Sequence, residues 1–185
     1  MKISFSKKIL IKRMSFLVLI FVMAISGCVQ TQNPKQLEFA GQLINFRADL
    51  LEAAKVNVYP NESILKEVLL SPDVAKIHIA FIPNETENAY YAADSFELAY
   101  KLTIINKFYK GFVIKVESLP VNSTSELLAT KEEPIILLSV SNRTAVTVKD
   151  NLIVCEGKDL AEIGRDYTDL DLAVDKLLLV LMKDN

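Results

Sequence analysis

Twice in this chain an alternating apolar run stops at a proline and gives way at once to a polar helix opening. Lys55-Val56-Asn57-Val58-Tyr59 ends at Pro60 and leads into Asn61-Glu62-Ser63. The run Lys76 to Ile82 ends at Pro83 and leads into Asn84-Glu85-Thr86. Proline has no N–H to give a sheet ladder, so it closes strands. Asn, Ser and Thr accept the free N–H groups of a first helical turn. A strand handing over to a helix, repeated, restricts the chain to an α/β fold in which helices cover a shared sheet.

The rest of the chain extends this pattern. Leu37 to Phe46 reads as a strand and Arg47 to Ala54 as a short helix. Glu62 to Leu70 is helical, with Ile64, Val68 and Leu69 on one side. Thr86 to about Asn106 is a long helix, with Tyr91, Leu98, Leu102 and Ile105 on one face and Ala92, Phe96 and Ala99 on another. Past Gly111, Phe112 to Glu117 reads as a strand, Ser125 to Ala129 as a short helix and Ile135 to Val140 as an apolar strand. Ala145 to Val148 and Leu152 to Cys155 form a hairpin through Lys149-Asp150-Asn151, which suggests an antiparallel edge. The last helix runs from about Asp169 to Lys183, with Thr168 and Asp171 at capping-box spacing. Leu170, Ala173, Val174, Leu177, Leu178 and Leu181 follow the 3.6 period, while Leu179, Val180 and Met182 make its other side apolar. A helix apolar all round is buried. The expected architecture is a mixed, largely parallel sheet flanked by helices, with a late β-hairpin and a buried C-terminal helix, in one domain of residues 37–185.

The N-terminus has a different character. Lys2, Lys7, Lys8, Lys12 and Arg13 precede the apolar run Ser15 to Ile25, which is followed by Ser26-Gly27-Cys28. A basic segment, a short apolar core and small residues are the order of a secretory signal. Ile25-Ser26-Gly27-Cys28 resembles the lipobox of prokaryotic lipoproteins. The resemblance covers residues 1–28. It implies that residues 1–27 are removed as a signal peptide and that Cys28 is lipidated, anchoring the chain at the extracytoplasmic face of the cell membrane. The alternative is an uncleaved membrane helix, but the apolar run falls short of the ~20 residues that span hydrocarbon. Residues 28–36 then form a lipidated cysteine with a short polar tether, reaching roughly 30 Å at about 3.3–3.6 Å per residue.

Removing residues 1–27 takes away five basic and no acidic residues, leaving 16 Lys+Arg against 23 Asp+Glu, a net charge of −7. Such a domain has no basic patch for phosphates, so no nucleic-acid partner is expected. Lipidation of Cys28 leaves Cys155 as the single remaining cysteine, which excludes an intrachain disulfide. Cys155 lies in the apolar run Leu152 to Cys155 and reads as a buried structural thiol.

Four triplets match N-x-[ST], at Asn61, Asn84, Asn122 and Asn142, where composition alone predicts about one. Each follows an expected strand. They are possible glycosylation sites of an archaeal exterior protein, and helix capping and turn preference offer the alternative origin. If the strands are parallel, all four lie at the carboxyl edge of the sheet, where open α/β folds bind ligands.

Catalytic equipment is sparse. His78, the only histidine, alternates with Ile77 and Ile79 and reads as a structural or surface residue. One histidine and one free thiol make no zinc site of the usual kind, and there is no G-x-S-x-G, P-loop or G-x-G-x-x-G motif. The acidic run Arg165 to Asp171 is the nearest approach to a hard-cation site, but it lacks calcium-loop spacing and helix-start acids explain it better. No metal and no cofactor are therefore expected. Glu97 and Lys101, at i,i+4, read as a surface pair. Tyr90, Tyr91, Phe96 and Tyr100 read as core before binding surface. These features point to a non-enzymatic interaction or structural module of the cell envelope, with a membrane partner through Cys28 and an envelope protein partner. A small-ligand-binding lipoprotein with a pocket at the strand carboxyl ends is the runner-up. A carboxylate-dependent hydrolase built on Asp49, Glu52, Glu97 or the 166–171 acids stands third.

Overall fold

The computed structural model describes residues 34–83, 88–158 and 165–183; residues 1–27, Cys28 and Asn84 lie outside the described residues. The elements are β1 (Gln36–Phe39), β2 (Gln42–Asn45), α1 (Leu50–Ala53), β3 (Asn57–Tyr59), α2 (Glu62–Leu70), β4 (Lys76–Phe81), α3 (Asn88–Lys110) and β5 (Lys115–Pro120). A 3₁₀ turn (Thr124–Glu126), β6 (Ile135–Val140), β7 (Ala145–Lys149), β8 (Leu152–Gly157) and α4 (Asp169–Met182) complete the chain.

Six strands form one mixed sheet in the order β3-β7-β8-β6-β4-β5. β8, β6, β4 and β5 are parallel to one another, and β3 is parallel to β7. The β7–β8 hairpin is antiparallel, so β3 and β7 run against the other four strands. The fold class is therefore the expected α/β one, with one refinement. The hairpin lies inside the sheet rather than at its edge, because β3 adds outside β7.

β6 is buried on both faces, as an inner strand of a parallel block requires. Ile136 and Leu138 join the main core under the helices. Ile135 and Leu137 face the other way, with Ala80, and are covered by Leu119, Leu127 and Ala129 from β5 and the chain that follows it. The C-terminal helix α4 sits over β8, β7 and β6 and is covered in turn by α1, α2 and α3. Leu170, Ala173, Val174, Leu177, Leu178 and Leu181 are fully buried, which accounts for its apolar circumference. Its Thr168–Asp171 capping box is present in full. A Cβ on Gly157 would stand 2.3 Å from the Leu170 nitrogen, so glycine lets the start of α4 close onto the end of β8.

Five local expectations change. Leu37 to Phe46 is a hairpin rather than one strand, turning at Ala40 and Gly41, whose φ values of 52° and 74° are those of a two-residue primed turn. Its Phe39, Ile44 and Phe46 enter the main core, with Phe39 edge-on to Phe108 at 5.0 Å. The expected strand from Phe112 begins only at Lys115, because the chain leaves α3 through Gly111 at φ 75° and needs several residues to return to the sheet. The expected helix Ser125 to Ala129 is a single 3₁₀ turn, while α3 continues to Lys110. Phe96 and Tyr100 are exposed, 76% and 57%, and only Tyr91 of the aromatic group on this helix is fully in the core.

Candidate functional site

Three neighbouring turns of α3 carry Asp94, Glu97 and Lys101. Spacings of three and four place them on one helix face, and that face meets α4 rather than water. The facing turns of α4 present Asp171 and Asp175. Asp94 and Asp175 are 0% exposed, Asp171 1%, Lys101 3% and Glu97 7%. Glu97 and Lys101 are therefore a buried pair, not the surface pair expected from their spacing. The correction has a simple cause: the helix face that carries them is covered by another helix, which sequence spacing does not report.

Arg47, from the connection between β2 and α1, completes the group. Its Nε lies 2.7 Å from Asp171 Oδ1 and 3.9 Å from Glu97 Oε2, and its Nη1 lies 3.9 Å from Asp94 Oδ1. Lys101 is in direct contact with Glu97 Oε1 and lies 3.9 Å from Asp175 Oδ1. Asp175 Oδ2 accepts the backbone N–H of Ala48 at 2.8 Å. Arg47 is the one member that reaches solvent, its side chain being 34% exposed.

Four carboxylates thus face two cations in a space removed from water. Ionised groups in such a space are costly unless paired and hydrogen-bonded. Here both oxygens of Asp94, Glu97 Oε2 and Asp175 Oδ1 lack a hydrogen-bond partner. Burial pushes the Asp94 carboxyl well above its usual range, and the nearby Asp171 carboxylate adds to the shift. Burial does the same to Asp175, reinforced by Glu97. One oxygen from each of Asp94, Glu97 and Asp171 lies within 4.8 Å of the others, the arrangement of a cation-binding trio.

The residues singled out by sequence are otherwise placed. Asp49 caps α1, accepting from Leu51 N at 2.7 Å, and Glu52 accepts the Tyr167 hydroxyl at 2.8 Å. Asp166 pairs with Lys35 and Asp169 with Arg165, so Asp171 alone of the 166–171 acids faces the cluster. His78 is half-buried with Nε2 3.0 Å from Glu133 Oε2. Cys155 is a free, fully buried thiol, and burial holds it far above its normal pKa. Sequence reasoning missed Asp94 and Asp175. The available signal was a charge inside an apolar helical stripe, as where Asp175 follows Val174 and precedes Leu177.

Asn61, Asn122 and Asn142 are exposed. Asn61 caps α2, its Oδ1 accepting from Ile64 N at 3.1 Å. Because β3 runs against β5 and β6, Asn61 lies at the opposite end of the sheet from Asn122 and Asn142. The shared carboxyl edge expected for an all-parallel sheet does not form. A groove of about 1060 Å³, lined among others by Ile64, Val68, Pro72, Tyr109 and Asn151, opens at the amino-terminal ends of β4, β6 and β8. No protein-family model, no curated protein and no solved structure matches this chain.

Proposed function

We propose that this chain is a lipid-anchored, non-enzymatic interaction module at the extracytoplasmic face of the cell membrane, with an envelope component as its partner. The anchor rests on the signal-like residues 1–27 and the lipobox at Cys28. The interaction role rests on one observation: the apolar side chains left in water along α3 and the chain that follows it. Phe96, Tyr100 and Phe108 on the helix, then Phe112 and Val113, are 52–76% exposed. Five large apolar side chains exposed along one helix and its continuation offer a surface that a partner would cover. The buried carboxylates are consistent with this reading, since they are packed between helices and the groove is lined by other residues. Asn122 and Asn142 are accessible acceptors for glycans on such a surface protein.

Intact-mass spectrometry of the full chain taken from its own membranes tests the anchor. The expected species begins at Cys28 and carries a diacylglyceryl group, with glycan masses that disappear in Asn122→Gln or Asn142→Gln. A chain that keeps Met1 and an unmodified Cys28 ends the anchor reading. A photo-crosslinking residue at position 96 tests the interaction role in the native cell. One discrete adduct is expected there and none from exposed Lys149; equal or absent adducts at both positions end it.

A further inference from the structure

We propose that Asp94, Glu97 and Asp171 form a hard divalent-cation site, with the Arg47 guanidinium at its rim as a built-in competitor. Three observations carry this. The first is geometry. The three carboxylate oxygens lie within 4.8 Å of one another. Carboxylates this close can share one hard cation with small side-chain adjustment, and Ca²⁺, which accepts irregular oxygen coordination where Mg²⁺ demands a near-ideal octahedron, is the first ion to test. An all-oxygen donor set also selects hard cations over thiolate- or imidazole-seeking metals.

The second observation is Asp94 itself. It is wholly buried, it is aimed into the trio, and neither of its oxygens accepts from an N–H or hydroxyl donor; its close polar neighbour is another carboxyl, that of Asp171. A buried acceptor with no donor is a group whose partner remains to be identified. Arg47 does not fill that role, since it stands 3.9 Å from Asp94 and contacts Asp171 closely instead.

The third is charge. Were all four carboxyls ionised, Asp94, Glu97, Asp171 and Asp175 would outweigh Arg47 and Lys101 by two charges, those of one divalent ion. Lys101 is committed to Glu97 and Asp175 deep in the interface. Arg47 is the only partly exposed member and the one free to swing outward as an ion enters. Its positive charge opposes a second cation at the same carboxylates, so its loss favours the metal.

The two variants should therefore move in opposite directions. The full-length protein is stripped with a chelator, then titrated with CaCl₂ and separately with MgCl₂ by calorimetry, with thermal unfolding followed in parallel. Ca²⁺ is expected to bind with a stoichiometry of one and to raise Tm, because a ligand of the folded state alone stabilises it. Asp94→Asn should keep the fold and weaken binding at least about tenfold, with Glu97→Gln as a second ligand variant. Arg47→Gln should tighten binding by about tenfold through removal of the competing charge. Exposed Asp166→Asn should change nothing. Failure of both ions at millimolar concentration to bind or raise Tm overturns the proposal. So does a response that survives Asp94→Asn and Glu97→Gln, which would place the ion on the surface, and so does weaker binding in Arg47→Gln.

Discussion

The ammonium of Lys101 stands 3.9 Å from the centre of the Phe46 ring while it pairs with Glu97 one turn back along the same helix. A hairpin residue and a helix residue thus enclose a charge from both sides. This enclosure lets a lysine survive at 3% exposure.

Lys101→Met should be among the most damaging single changes in the protein. It leaves Glu97 and Asp175 without their cation in a dry interface, a loss of about 3–5 kcal/mol in stability. Adding Glu97→Gln should recover much of that loss, because the stranded charge goes with it. Urea unfolding of both single variants and the double variant, compared as a cycle, measures the coupling.

Two aromatics on α3 should behave oppositely. Tyr91 is buried and stacks on Phe81 at 5.5 Å, so Tyr91→Ala should cost about 3–4 kcal/mol. Phe96 is 76% exposed, and Phe96→Ser should stay within about 0.5 kcal/mol of the parent. Equal shifts in the urea midpoint would contradict the helix orientation described here.

The β1–β2 turn holds an alanine at φ 52° followed by glycine at φ 74°. An L-residue pays about 1 kcal/mol or more in that region, and Asn-Gly is the preferred pair for such turns. Ala40→Asn should therefore raise stability by about 0.5–1 kcal/mol, and Gly41→Ala should lower it by at least about 1 kcal/mol. Thermal unfolding distinguishes the two signs.

Glu62 accepts a hydrogen bond from Lys176, which holds its carboxyl below the ordinary value of 4.5. A carboxyl depressed in the folded state adds stability above that ordinary value and loses it as pH falls through the folded one. The side chain is 41% exposed, so solvent screening limits the contribution to about 0.5 kcal/mol. Glu62→Gln should show that deficit at pH 7, and the deficit should shrink as the pH falls below 4.5 and through the depressed folded value. Unfolding curves over a descending pH series check the sign.

Much of the architecture was written locally. Pro60 closes β3, Asn61 caps α2, and Thr168 with Asp171 caps α4 through contacts within a few residues. Ile135 to Val140, apolar almost without interruption, reads as a strand from the sequence alone. The hairpin at Ala40-Gly41 escaped notice because alanine is a rare choice for the position it holds. The exposure of Phe96 escaped because periodicity assigns a residue to a helix face without saying which faces are covered.

By itself, then, the sequence determined most element types, the α/β class and the burial of α4, since all follow from period, capping and composition. Only the tertiary structure decided that β3 and β7 run against the other strands, which sends Asn61 to the far end of the sheet. Only it brought Asp94 and Glu97 of one helix against Asp171 and Asp175 of another and closed the group with Arg47. Burial and charge proximity between segments far apart in the chain depend on how helices dock. Docking is set by the sum of many apolar contacts, which no short stretch of sequence encodes.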